Sequence, residues 1–184
     1  TSSKPDAPSS ATSSVGAGVP LGGNLLALFE DRSATIWVGT TNNGLYQRTA
    51  AGWRHWDVED GLPDHGVYTL EQSHDGSVWV GTRKGLARIK GSQLTAWREA
   101  DGLPDPLVVA LHEDPEGTLW LGTVSAGLVR FRDGRFLSIQ EKQGLPDNTV
   151  WAILEDHFGF FWLSSNRGIV RVVRDQLELL ARGE

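Results

Sequence analysis

The sequence predicts an all-β fold of β-propeller blades, with four repeats of four antiparallel strands each. The set either closes as a four-bladed ring or forms part of a larger one. Three observations predict this. Trp37, Trp79, Trp120 and Trp162 recur 42, 41 and 42 positions apart. They sit in one phrase: Ile36-Trp37-Val38-Gly39-Thr40, Val78-Trp79-Val80-Gly81-Thr82, Leu119-Trp120-Leu121-Gly122-Thr123 and Phe161-Trp162-Leu163-Ser164-Ser165. A second phrase keeps the same beat at Gly61-Leu62-Pro63-Asp64, Gly102-Leu103-Pro104-Asp105 and Gly144-Leu145-Pro146-Asp147, with a weaker copy at Gly18-Val19-Pro20. Third, glycine interrupts every stretch in which apolar residues recur at helical spacing, so no helix is expected. Four short strands in a period of about 40–45 residues match a propeller blade, not a helical-pair or leucine-rich repeat.

In chain order, residues 1–17 are Ser, Ala, Thr, Pro and Gly without an apolar pattern and read as a flexible tail. The repeats follow at about 18–60, 61–101, 102–143 and 144–184. The second copy shows the elements best. Val67 to Glu71 alternates faces, and His74-Asp75-Gly76-Ser77 is a tight turn. Val78 to Thr82 is β-branched and aromatic. Arg83-Lys84-Gly85 turns again before Leu86 to Lys90, and Gly91-Ser92 leads into Gln93 to Trp97. One Trp per repeat supplies a large flat unit for packing blade on blade. Gly39, Gly81 and Gly122 lie on the Trp face, where a missing Cβ lets the next blade approach. The turn glycines Gly76, Gly117 and Gly159 have Ala34 as their counterpart in the first copy, which predicts a different or strained turn there.

Composition excludes several functions. Seventeen basic against 23 acidic residues give a net charge of −6, unlike the basic stripe of a nucleic-acid or anionic-membrane binder. Without cysteine there is no disulfide framework, zinc ribbon or thiol nucleophile. The apolar runs Leu25–Phe29 and Leu107–Leu111 are too short to span a bilayer, so no direct membrane insertion is expected. The chain begins at Thr1 and reads as a processed or excised piece.

No catalytic constellation, phosphate-binding loop or cofactor motif is present in the sequence, and neither enzyme activity nor a cofactor is expected. His112-Glu113 and Asp156-His157 lie in turns at equivalent places, where aspartate capping of the backbone explains them better than a metal. Arg88, Arg130 and Arg171, with Gln47 in the first copy, form a row expected to pair with acids and lie over aromatic surface. Topology puts the Gly-Leu-Pro-Asp loops and the second-to-third-strand loops on one face. That face carries the candidate ligand-binding residues Asn42, Asn43, His65, Arg83, Lys84, Asn148, Asn166 and Arg167, which offer donors and acceptors to a small polar ligand such as a saccharide.

The third copy carries Gly102, Val108, Leu111, Glu113, Asp114, Gly117, Leu119, Trp120, Gly122, Thr123, Gly127, Leu128 and Arg130. This pattern resembles the two-component regulator propeller repeat, and the resemblance runs from Gly18 to about Leu180. It implies a sensor propeller on the periplasmic, extracytoplasmic side of a bacterial membrane receptor, most often a hybrid histidine kinase. Such propellers usually have about seven blades, so four repeats favour a ring segment over a closed ring of four. A segment would expose the faces of its end blades, near Trp37 and Trp162, and would meet further blades of a parent chain or self-associate. The leading expectation is a non-catalytic ligand-sensing or scaffolding segment. The alternative is a protein-interaction or self-assembling platform. A lyase-type propeller enzyme ranks last, with His65 the one histidine on the chosen loop face.

Overall fold

The computed structural model describes residues 23–182. The tail, the Gly18-Val19-Pro20 phrase and the start of the loop after it lie outside the described residues. Four antiparallel sheets follow one another along the chain, each with its strands in sequence order. Blade 1 holds β1 (Leu25–Glu30), β2 (Ile36–Thr40), β3 (Leu45–Thr49) and β4 (Gly52–Trp56). Blade 2 holds β5 (Val67–Gln72), β6 (Val78–Thr82), β7 (Gly85–Lys90) and β8 (Gln93–Trp97). Blade 3 holds β9 (Val108–Glu113), β10 (Leu119–Thr123), β11 (Leu128–Arg132) and β12 (Arg135–Ile139). Blade 4 holds β13 (Ala152–Glu155), β14 (Phe160–Ser165) and β15 (Gly168–Val173), and then helix α1 (Arg174–Arg182).

The helix and the missing sixteenth strand depart from the sequence expectation. Blades 1 to 3 reverse the chain after their third strand at Gly52, Gly91 and Gly134, all at positive φ. No glycine directly follows β15, and Arg174-Asp175-Gln176-Leu177-Glu178-Leu179-Leu180-Ala181 consists mainly of good helix formers. Leu177 and Ala181, one turn apart, are buried with Trp120, Leu128 and Ile139 of blade 3. The helix thus covers the outer part of the seam between blades 3 and 4.

Three apolar clusters hold four blades together, one at each seam. Trp37 joins Val67, Leu70 and Val80, Trp79 joins Val108, Leu111 and Leu121, and Trp120 joins Val150, Phe161 and Leu163. The first strands pack in series, β1 on β5, β5 on β9 and β9 on β13, and the series does not return from β13 to β1. A closed ring of four would need a fourth seam, so the described residues form an open arc. Its end faces are unpartnered. Leu28 of blade 1 is 73% exposed, and in blade 4 Leu154, Trp162 and Ile169 are 59%, 40% and 74% exposed. Trp37, expected near an open end, is instead buried against blade 2, because each repeat turns its Trp toward the following blade.

The glycine two places after Trp37, Trp79 and Trp120 has the predicted purpose. A Cβ on Gly122 would stand 2.5 Å from the Val150 carbonyl oxygen, and one on Gly39 or Gly81 would stand 3.0 or 2.9 Å from that of Val67 or Val108. The next blade's first strand therefore runs directly over the hydrogen atom of each glycine. Ala34 takes the same left-handed turn as Gly76, Gly117 and Gly159, with φ 57°, so its Cβ strains this turn.

Candidate functional site

The phrase Trp-x-Gly-Thr closes onto the loop face through its threonine. The hydroxyls of Thr40, Thr82 and Thr123, all fully buried, donate to the carbonyls of Gly44, Gly85 and Gly127 at 2.9, 2.7 and 2.9 Å. This bond fixes each second-to-third-strand loop. The Gly-Leu-Pro-Asp loop of the next repeat then docks on it in two copies, where Gly44 N–H donates to His65 O and Gly127 N–H to Asn148 O, while Arg83 N–H donates to Gly66 O of its own repeat.

The eight candidate residues divide between two seams. At the seam of blades 1 and 2, Asp64 accepts the Gly66 N–H at 2.8 Å and lies 3.9 Å from Arg83 and 3.7 Å from Lys84. The Arg83 guanidinium also donates to Thr41 O at 3.1 Å. Hydrogen bonding and charge attraction to Tyr68, then attraction to Asp64, push Arg83 above the usual guanidinium range. Asn42 is exposed, and His65 holds a buried Nδ1 without a partner. Asn43 is absorbed into the scaffold, donating to the Tyr46 hydroxyl at 2.6 Å while its carbonyl bonds His55 at 2.8 Å.

At the seam of blades 3 and 4, Asn148 accepts the Glu141 N–H and Asn166 accepts the Trp151 indole N–H, both at 2.9 Å. Arg167 is exposed and lies 3.4 Å from Glu141. The structure thus groups Asn42, His65, Arg83 and Lys84, leaves Arg167 on the same face at another seam, and uses Asn43, Asn148 and Asn166 as loop braces. Beside the first group a cavity of about 480 Å³ is lined by Pro63, Lys84, Arg98, Glu99 and Pro106. In blade 3 the counterpart of Asp64 is the buried Asp105, which accepts the Ser125 N–H and hydroxyl at 2.6 and 2.8 Å and seals its loop. Blade 2 therefore differs from its neighbour in presenting a basic pair at this place.

On the opposite face the turn aspartates cap the backbone as expected. Asp31, Asp114 and Asp156 each accept two turn N–H groups. Their second oxygen accepts the indole N–H of Trp37, Trp120 and Trp162 at 2.9 Å in every case, a link that strand patterning does not reveal. His112 pairs with Glu155 and His74 with Glu113, at 2.9 and 2.8 Å, so both histidines clasp the next blade. No group of three metal-ligating side chains occurs among the described residues. The arginine row behaves as expected: Arg88 bonds Asp75 and lies over Trp79, Arg130 bonds Glu178, and Arg171 lies over Phe160 and Trp162.

Residues 61–84, 102–125 and 144–167 match the two component regulator propeller family. Each match starts at the first glycine of a Gly-Leu-Pro-Asp loop and ends in the second-to-third-strand loop that packs beside it. The chain carries repeats of the two component regulator propeller family. Two solved extracellular domains of B. thetaiotaomicron hybrid two component systems have this fold. BT3049 superposes with a TM-score of 0.73 and 28% identity over 83% of this chain and 22% of its own. BT4673 gives 0.65 and 22% identity over 80% of this chain and 21% of its own. Virginiamycin B lyase from Staphylococcus aureus shares the fold at a TM-score of 0.65 and 19% identity, over 82% of this chain and 53% of the lyase. The chain spans about a fifth of the length of the two component domains. No curated protein matches it significantly. The arc presents one face of loops braced by threonine and asparagine and one face of aspartate-capped turns.

Proposed function

We propose that this chain is a non-catalytic ligand-sensing or scaffolding segment of the extracytoplasmic propeller of a bacterial two-component receptor. The observation that supports this reading most is the coincidence of three family-matched repeats with 28% identity to an extracellular domain of a hybrid two component system. Among the described residues no helix is long and apolar enough to cross a membrane. Three histidines serve structural bonds: His55 to Asn43, His74 to Glu113 and His112 to Glu155. That use supports binding over hydrolytic or lyase chemistry.

The ligand is a small polar molecule such as a saccharide, held on the loop face by Asn42, His65, Arg83 and Lys84, with Arg167 at the far seam. Arg83 and Lys84 already attract one carboxylate, Asp64, and their remaining N–H donors suit hydroxyl or carbonyl oxygens. A saccharide panel in a thermal-shift assay tests the reading: a bound sugar raises the melting temperature, and the double change Arg83→Ala and Lys84→Ala removes the rise. An unshifted melt across neutral and acidic saccharides contradicts it. A second reading, a self-assembling platform, is favoured by the apolar end faces at Leu28 and at Leu154, Trp162 and Ile169.

A further inference from the structure

Comparing the four repeats at one position exposes a second site, independent of the loop face. Asp31, Asp114 and Asp156 neutralise the indole N–H of their repeat's Trp at 2.9 Å. Blade 2 has Ser73 at that position, and the turn is capped instead by Asp75, which accepts the Ser77 N–H at 3.0 Å. Trp79 is 5% exposed, and its buried indole N–H has no partner. An unpaired buried donor costs about 1–3 kcal/mol, and native structures keep few of them.

The place of the missing carboxylate is a cavity of about 300 Å³ between blades 2 and 3, lined by Ser73, Trp79, Trp97, Glu113, Phe131 and Arg132 among others. Trp79, Trp97 and Phe131 form an aromatic wall, with ring centroids 5.2–5.8 Å apart. Glu113 enters from blade 3 with a side chain 7% exposed. Burial pushes its carboxyl up, but hydrogen bonds from Ser73 and His74 outweigh burial and keep it ionised below the usual range. The cavity thus offers a neutral donor, a buried anionic acceptor and an apolar wall of tilted and edge-on rings, with Arg88 and Arg132 also in its lining.

We propose that this cavity binds a neutral hydroxylated ring compound, of the pyranose or cyclitol class. A single hydroxyl can accept from the Trp79 indole and donate to Glu113, which neither a carboxylate nor a plain hydrocarbon can do. The ring's apolar face packs against this aromatic wall.

The test follows the indole N–H resonances of the full chain by NMR while glucose, myo-inositol and, as a control, acetate are added. The Trp79 signal is assigned through Ser73→Asp, which supplies the carboxylate that the other three repeats carry. Glucose or myo-inositol is expected to move the Trp79 indole signal, acetate is not, and Ser73→Asp is expected to weaken binding about tenfold or more. Intermolecular NOEs from the probe's ring protons to Trp97 and Phe131 in the unaltered chain give the same answer without any variant. A Trp79 signal that neither ring compound moves overturns the proposal. So does a shift that survives Ser73→Asp, or a response to acetate alone.

Discussion

Asp114 links two levels of structure through its two oxygens. One oxygen accepts the N–H groups of Glu116 and Thr118, and the other takes the indole of the fully buried Trp120. Asp114→Ala removes the turn cap and orphans a donor at the centre of a seam, so a loss of about 3 kcal/mol is expected in a denaturant melt. The carboxylates also set the response to acid. Asp31, Asp75, Asp156 and Glu113 all titrate below their ordinary range, so their stabilisation is present at neutral pH and is lost as pH falls through the folded values. Glu71 opposes them. Burial against blade 3 pushes its carboxyl up, so its ionised form destabilises the fold at neutral pH and the cost disappears on protonation. Glu71→Gln is therefore expected to melt higher than the parent chain at neutral pH, with the two melts converging toward pH 4, about the ordinary carboxylate value. At this scale the sequence revealed the glycines over the next blade and the aspartate caps, because each recurs at a fixed place. The indole bonds were hidden, since they join residues whose side chains meet only after the turn has folded. The orphaned Trp79 could have been found by asking why Ser73 replaces an aspartate kept in three copies.

Elements follow the same logic. Strand positions were legible because the phrases fix them, and β6 falls on the predicted Val78–Thr82. Helix α1 was not, because a chain read by its repeats invites a fourth strand where only the absence of a turn glycine argues against one. Its hold on the arc rests on Leu177, fully buried, and on three ionic contacts. Arg130 bonds Glu178 at 2.8 Å, and Arg174 lies 2.7 Å from Glu116 and 3.2 Å from Glu155. Leu177→Ala is expected to cost about 3 kcal/mol and to expose Trp120. Tryptophan emission shifting to the red before the global transition would register that opening. An unchanged melt and spectrum would mean that the helix does not seal the seam.

For the whole molecule, four blades share three seams, and every seam follows one rule: the Trp face of one blade meets the first strand of the next. Among the described residues no further blade covers that Trp face on blade 4, and blade 1 presents the complementary first-strand face. The candidate loop site divides for the same reason. Residues predicted on one face were placed there, but blades 1–2 and 3–4 hold them apart, a separation that depends on blade count and curvature and not on any local motif. Because the two end faces are complementary halves of one repeating interface, head-to-tail contact between chains reuses packing already present three times. Sedimentation velocity over a wide concentration range tests this account of an open arc most directly. The account predicts association that grows with concentration and is abolished by Trp162→Arg with Leu154→Glu, changes that leave the three internal seams untouched. A compact monomer at every concentration, identical in the parent chain and the double variant, would contradict it.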